Sequence, residues 1–441
     1  MGYIPKHALE NLNEYQYKGI DKSILSKYVL TPYWNNLVKL WPKWVAPNTI
    51  TLTGLSLVFI NFLTMLYYDP YYYTAKHADG PPNWIYFTWA AGLFMYQSLD
   101  AIDGKQARRT KMAGPLGEMF DHGCDAINTT LGALLTCYAL NLGRSWWTVA
   151  SQVATLANFY LTTWEEYHTG QLYLGVFSGP VEGILMIVGI FIVTGFFGPA
   201  FWDQGVVTYL GIGNLVPSIP DIPLNELFMY FAAVGLAFNI FTSYLNVYFA
   251  THSPNSSSSS SSSKSALAPY KPFLRLLPFP LSISIHIFWL SAPSPASSTI
   301  LHSPLFVPHA CAFGLQFAHQ VGRMILAHLT KRKDMPFWEG MWVLSIVAGL
   351  DANLMWICGR PPFFLHSYEN IKITVYASLI LSFLTYGRFC YLVINDITNF
   401  LGIACFTVRK KDKSGVWQAA VPESPSPSPS PIDDLPKEKK H

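Results

Sequence analysis

DAIDGKQARRTKMAGPLGEMFDHGCD, residues 100–125, sets four aspartates and a histidine between two strongly apolar runs. The run NWIYFTWAAGLFMYQSL (83–99) leads into it and another, near 119–142, leads out. Asp100 and Asp103 share a face at the end of one predicted helix, and Asp121 and Asp125 share a face at the start of the next. The connection 104–117 contains Gly104, Gly114, Pro115 and Gly117, which let the chain turn and let backbones approach. The four carboxylates can therefore converge. Like charges about 5 Å apart repel by on the order of 3 kcal/mol at an effective dielectric of about 20, so the cluster needs protons, arginines or cations. Oxygen-only ligands suit Mg2+ or Mn2+, and a pair of such ions suits phosphate chemistry. The plainer reading pairs the aspartates with Lys105, Arg108, Arg109 and Lys111 in an ordinary loop. It accounts for any single aspartate better than it accounts for the set.

The chain around this stretch has 441 residues, 51% of them hydrophobic and 12% charged, whereas soluble domains carry roughly 25% charged residues. Runs near or above the roughly 18 residues that cross a bilayer recur at 50–68, 83–99, 119–142, 146–164, 181–198, 226–250, 273–291, 305–328, 337–357 and 372–395. The expectation is an all-α integral membrane protein of about ten transmembrane helices. A soluble helical protein would show polar outer faces, which 226–250 and 372–386 lack. With the first residues inside, Lys and Arg concentrate in alternate connections, among them 104–117, and this puts the aspartates and both termini on the cytoplasmic side. No basic stripe suggests nucleic acid as a partner. The six cysteines are scattered without a CxxC pair and read as small buried hydrophobes.

Residues 1–45 mix charges with Leu, Tyr and Trp, and 7–43 read as an amphipathic helical segment lying in the headgroup layer. The serine-rich 253–265 can bury nothing and is a linker. The segment 406–441, with SPSPSPSP at 424–431, is polar, proline-rich and expected to be disordered. The start MGYIPKHALE suggests neither a cleaved leader nor a myristoylation signal.

The opening stretch resembles the signature of the CDP-alcohol phosphotransferase family, D-x2-D-G-x2-A-R-x8-G-x3-D-x3-D. Asp100, Asp103, Gly104, Ala107, Arg108, Gly117, Asp121 and Asp125 meet it without departure in spacing. The longer string DGKQARRT…GPLGE.FDHGCDA and the upstream WVAPNTIT (44–51) are similar to the eukaryotic choline/ethanolamine phosphotransferase branch. The likeness extends over most of 30–405 and leaves out the linker and the tail.

The resemblance implies catalytic helices over 46–200, further membrane helices over 201–405, and transfer of phosphocholine or phosphoethanolamine from CDP-choline or CDP-ethanolamine to diacylglycerol. It implies that Asp100, Asp103, Asp121 and Asp125 bind two Mg2+ or Mn2+ ions, and that Asn48, Gly104, Ala107, Arg108, Gly117 and Glu118 hold the nucleotide donor. Arg108, planar and permanently charged, suits phosphate oxygens. His122, with an unperturbed pKa of about 6.5, is the expected base for the lipid hydroxyl, with Asp125 as the alternative; a purely supporting role beside a ligand aspartate also fits His122. Asn48 can equally be a helix cap after Pro47, and Glu118 can simply favour a helix start. Glu165, Glu166, His168 and Glu182, with Trp164, Tyr167 and Tyr173, are candidates for the donor pocket and its head-group end. Arg323 and Arg388 should face the bundle interior or snorkel, and the sequon at Asn128 falls inside a span. The endoplasmic reticulum or another endomembrane, membrane lipid contacts and a homodimer follow from family likeness. The rivals are a relative using a CDP-diacylglycerol donor with a soluble alcohol, and a cation transporter.

Overall fold

A computed structural model of the chain describes residues 2–74, 80–175, 180–213, 218–252, 271–292, 300–332 and 337–421. The linker 253–265 and the repeat at 424–431 lie outside the described residues. The elements run α1 (Lys6–Glu10), β1 (Gly19–Asp21), α2 (Thr31–Leu40), α3 (Pro47–Tyr68), α4 (Trp84–Arg109), α5 (Pro115–Ala139), α6 (Trp146–Thr169), β2 (Leu172–Leu174), α7 (Pro180–Phe197) and α8 (Val206–Tyr209). They continue with α9 (Leu224–His252), α10 (Lys271–Leu274), α11 (Pro278–Leu290), α12 (Phe306–Leu329), α13 (Trp342–Ala352), α14 (Leu354–Cys358), α15 (Tyr368–Leu401), β3 (Arg409–Lys411) and β4 (Trp417–Ala419).

Among the described residues four stretches are long and apolar enough to cross a membrane by length and composition: Pro47–Tyr68, Leu224–Thr251, Pro272–Leu290 and Tyr368–Leu401. The outer faces of α9 and α15 present Phe231, Val234, Phe238 and Phe241, and Ile380, Phe383 and Leu384. Apolar residues on an outer face belong to helices solvated by lipid. The chain is a multi-span membrane protein built almost wholly from helices.

In lipid, helices gain little from the hydrophobic effect and associate through close packing, small residues and interhelical hydrogen bonds. One buried cluster gathers Tyr72, Trp89, Tyr138 and Phe306. A second joins Leu116 and Met119 of the first turns of α5 to Trp164, Phe317 and Phe389. Between α5 and α12 the approach depends on Gly314, where a Cβ would lie 2.2 Å from Thr130 Oγ1. Gly314→Ala is therefore expected to cost about 1–3 kcal/mol through overpacking. Thermal unfolding of the detergent-solubilised protein reads this, and an unchanged midpoint would show that the two helices separate freely.

The first forty residues are divided into short pieces. Ala8 and Leu12 enter the second cluster, while α2 buries Trp34 and Val38 against Ile50, Leu99 and Ile102 and leaves Leu40 exposed. Strand β1 pairs in parallel with β2, Gly19 opposite Leu172. The Ile4 amide donates to Asp396 Oδ2 at 2.8 Å, and the Tyr3 ring meets Phe389 edge-on at 5.3 Å.

Three local readings need correction. The apolar run 337–357 is not one helix: it breaks at Asn353, whose side-chain amide donates to Phe288 O at 2.7 Å. Asp351 just before the break accepts the backbone amides of Phe363, Phe364 and Leu365. Cys358, at the end of α14, is exposed, whereas Cys124 and Cys137 are buried as expected. The described part of the segment after 405, up to Val421, includes the antiparallel hairpin β3–β4, with Arg409 opposite Ala419. Strands this short carry no apolar periodicity to read.

Candidate active site

The aspartates meet because one helix stops and the next starts within a few residues. At the end of α4 the Thr110 hydroxyl donates to Gln106 O at 2.8 Å, Lys111 takes a φ of 58°, and the Met112 amide returns to Ala107 O at 2.8 Å. This left-handed closure stops the helix. Pro115 then stands in the first turn of α5, where its missing N–H costs nothing. The two arginines at the junction divide their tasks. Arg109 donates to Val38 O and Gln106 Oε1 and ties α4 to α2. Arg108 is exposed and enters none of the ion pairs among the described residues.

Asp100, Asp121 and Asp125 each bring an oxygen within 4.8 Å of the others. No donor among the described residues reaches Asp100 Oδ1 or Asp121 Oδ1, although both atoms are buried. At that spacing each charged pair repels by on the order of 3 kcal/mol, so orphaned, converging carboxylate oxygens fit a divalent cation. Asp103 lies close enough to Asp100 and Asp121 for its charge to act on both, and it accepts the Thr51 hydroxyl from α3. Asp125 accepts the Tyr96 hydroxyl from α4. These hydroxyls orient the carboxylates in the way outer-shell groups orient metal ligands. A Cβ at Gly114 or Gly117 would meet nothing within 4 Å. The start of α5 is therefore open, and a helix start with free space before it suits an anion.

His122 is 8% exposed and lies between two carboxylates, its Nε2 3.6 Å from Glu166 Oε2 and its Nδ1 3.7 Å from Asp121 Oδ2. Nδ1 has no hydrogen-bond partner among the described residues. Glu118, one turn before His122, accepts the Tyr15 hydroxyl, and Glu118, Glu166 and His328 form a second cluster with ligand atoms within 4.8 Å of one another. Burial first, and then the Glu118 carboxylate, hold the Tyr15 phenol well above its ordinary range. It is a donor at any physiological pH.

Other expected residues turn elsewhere. Asn48 is not a cap, since Ala46 holds that position; its amide donates to Cys405 O at 3.2 Å. Glu165 accepts from Asn246 at 2.7 Å, the Trp164 indole donates to Pro272 O at 2.9 Å, and the Tyr167 hydroxyl donates to Arg332 O at 2.7 Å. Tyr173 faces Lys22, and His168 packs on Trp164 and Tyr167. Glu182 accepts the Ser23 hydroxyl through Oε1, and its buried Oε2 has no partner among the described residues. Arg323 turns inward to Glu339 at 2.7 Å, whereas Arg388 is exposed. Thr51, Tyr96, Tyr15 and His328 were not legible as site residues. Only Tyr96 carries a local sign, standing one turn before Asp100 on α4.

Residues 44–210 match the CDP-alcohol phosphatidyltransferase family. The chain is 39% identical over 410 residues to an "uncharacterized CDP-alcohol phosphatidyltransferase class-I family protein" of Schizosaccharomyces pombe, covering 93% of this chain and 98% of that one. It is 37% identical to cholinephosphotransferase 1 of Saccharomyces cerevisiae, covering 92% and 98%. It is 34% identical to choline/ethanolaminephosphotransferase 1 of Arabidopsis thaliana, covering 93% and 100%. The likeness thus runs well beyond the aspartate stretch, and the chain belongs to the CDP-alcohol phosphatidyltransferase family.

Proposed function

We propose that the protein transfers phosphocholine or phosphoethanolamine from a CDP-linked donor to diacylglycerol, releasing CMP. The observation that carries this reading is the convergence of Asp100, Asp121 and Asp125 with two buried oxygens left without donors. The names of the yeast and plant relatives support it. Asp100, Asp103, Asp121 and Asp125 are our candidates to hold two Mg2+ or Mn2+ ions, which when bound neutralise charge on the donor's phosphates.

The protein's own side chains do the rest. Arg108, in no ion pair among the described residues, takes phosphate oxygens, and the open start of α5 at Gly114 and Gly117 admits the donor. Asn48, Gly104, Ala107, Arg108 and Gly117 remain our nucleotide contacts. Glu118, whose Oε2 accepts the Tyr15 hydroxyl, is with them a candidate donor contact. Glu166 beside His122 Nε2 favours a proton on that nitrogen, which leaves the Nδ1 lone pair on the aspartate side. Nδ1 takes the proton of the lipid hydroxyl; the hydroxyl oxygen bonds to phosphorus, the phosphorus–oxygen bond to CMP breaks, and CMP leaves with the electron pair. Asp125, already hydrogen-bonded by Tyr96, is the alternative base.

The reading extends to topology: about ten spans, residues 1–45 in the interface, catalytic helices within 46–200, further membrane helices over 201–405, and the tail beyond. The site opens to the cytoplasm of the endoplasmic reticulum or another endomembrane, and the protein is a homodimer. Purified protein given CDP-choline or CDP-ethanolamine in separate reactions should release CMP only when diacylglycerol and Mg2+ are both present. Mn2+ should replace Mg2+. CMP release from CDP-diacylglycerol with a soluble alcohol, or ion flux without CMP release, would overturn the proposal.

A further inference from the structure

At the end of the bundle away from the aspartates, a small cavity lies between α6, α11 and α12, lined among others by Gln152, Val153, Ile283, Ile287, His286 and His309. Both histidines are 2% exposed, and their ring centroids stand 5.2 Å apart. Among the described residues neither nitrogen of His309 has a hydrogen-bond partner, and His286 Nδ1 has none either. His286 Nε2 meets Gln316 Oε1 at 3.1 Å, and the Gln316 amide nitrogen donates to the hydroxyls of Ser345 at 3.3 Å and Ser382 at 3.2 Å. That amide orientation makes His286 Nε2 the donor and leaves Nδ1 as a bare acceptor. A neutral His309 adds one donor and one acceptor. Buried polar groups are nearly always satisfied, so three orphaned ring nitrogens around one cavity mark the place of a ligand.

The surroundings decide its chemistry. No acidic residue lines the cavity, and an ion without a counter-charge is costly to bury. A neutral group that both donates and accepts, as a hydroxyl does, matches the three nitrogens. The polar floor admits a single water-sized group. The rim carries Ile287, 37% exposed, with Val153 and Ile283 half-buried, and α11 belongs to a stretch long and apolar enough to span a membrane. Access is therefore from the bilayer, so the hydroxyl arrives attached to hydrocarbon. A Cβ at Gly322 would lie 3.7 Å from Met119 near the start of α5, and one at Gly314 would meet Thr130 further along it, so α12 begins at the end away from the aspartates. His309 stands about one turn from that start, and His286 about one turn from the end of α11. A neutral lipid carries its hydroxyl near that depth and points its hydrocarbon toward the middle of the bilayer. We propose that His286 and His309 bind the hydroxyl of a neutral lipid, a diacylglycerol or a sterol, which enters sideways between α6 and α11 in the leaflet opposite the aspartates. The site is separate from the one assigned to transfer, and the proposal stands or falls without the transferase reading.

The full chain in lipid nanodiscs tests this with two photoreactive probes, a diazirine-bearing diacylglycerol and a diazirine-bearing sterol, the labelled peptides being mapped by mass spectrometry. At least one probe should label α6 near Val149 and Val153 and α11 near Ile283 and Ile287, and the probe that does so identifies the source of the hydroxyl. The unlabelled parent lipid should compete, and its O-acetylated form should compete about tenfold less well, the loss expected when buried partners go unmet. Labelling there should fall at least about tenfold in His309→Leu, and also in Ile287→Trp, which blocks the rim from the lipid side and leaves both histidines in place. Labelling of neither helix by either probe overturns the proposal and leaves the cavity to trapped water. Equal competition by the acetylated lipid overturns it too, as does diacylglycerol labelling confined to residues 100–125, which would mark the transfer site alone. If His309→Leu does not fold, Ile287→Trp decides, and unchanged labelling in that variant is refutation.

Discussion

Asp121→Asn is expected to lower kcat/KM by about 1000-fold, or ~4 kcal/mol of transition-state stabilisation. The substitution keeps the shape of the side chain and removes one negative charge from the site where Asp100, Asp121 and Asp125 converge. It therefore weakens cation binding without opening a cavity. The same change should raise the unfolding temperature of chelator-treated protein, because without a cation the carboxylates repel by on the order of 3 kcal/mol per pair. Opposite signs for activity and stability mark a functional cluster, in which a local conflict is kept for what it binds. Diacylglycerol-dependent CMP release and thermal unfolding with and without Mg2+ read the two effects. Activity within tenfold of the parent, or a lower unfolding temperature in chelator, would contradict the role given to Asp121.

His122→Ala is the second large effect. A positioned base contributes about 100-fold to 10000-fold, and transfer should fall by that factor. Nucleotide binding should remain nearly intact, since the contacts assigned to the donor, Arg108 and the glycines among them, do not include His122. A fall in kcat with KM for the CDP donor little changed is the expected split. Lost donor binding with residual turnover would instead make His122 a group that merely holds Asp121 or Glu166, whose carboxylates lie at 3.7 and 3.6 Å from its ring.

The aspartate pairs were legible because helix spacing is local. Residues three or four apart share a face whatever surrounds them, and the glycines and proline between the pairs announced the turn. The hydroxyls that hold the aspartates were not legible. Thr51 reaches Asp103 because α3 packs on α4, and nothing in WVAPNTIT says which threonine faces inward. The Glu166–His122 approach has the same character: both residues were singled out, but only the packing of α5 on α6 brings them together. The partners of the aromatic head-group candidates were hidden for the same reason. The Trp164 indole and the Tyr167 hydroxyl donate to the backbone carbonyls of Pro272 and Arg332, which lie far off in sequence. Hydropathy alone missed the break inside 337–357, since a polar Asn353 and Asp351 that collect backbone groups leave the mean of the window apolar.

The Ile4 amide finds its acceptor 392 residues downstream, on Asp396. At roughly 5–20 residues per second of synthesis, the opening segment waits about 20–80 s before its seat on the last helix exists. During that interval the Ile4 amide has no acceptor on Asp396, and the water or headgroup that serves it meanwhile must later be released. A bulky fusion at the amino terminus would burden this late docking step, while the same fusion after Val421 would leave it alone.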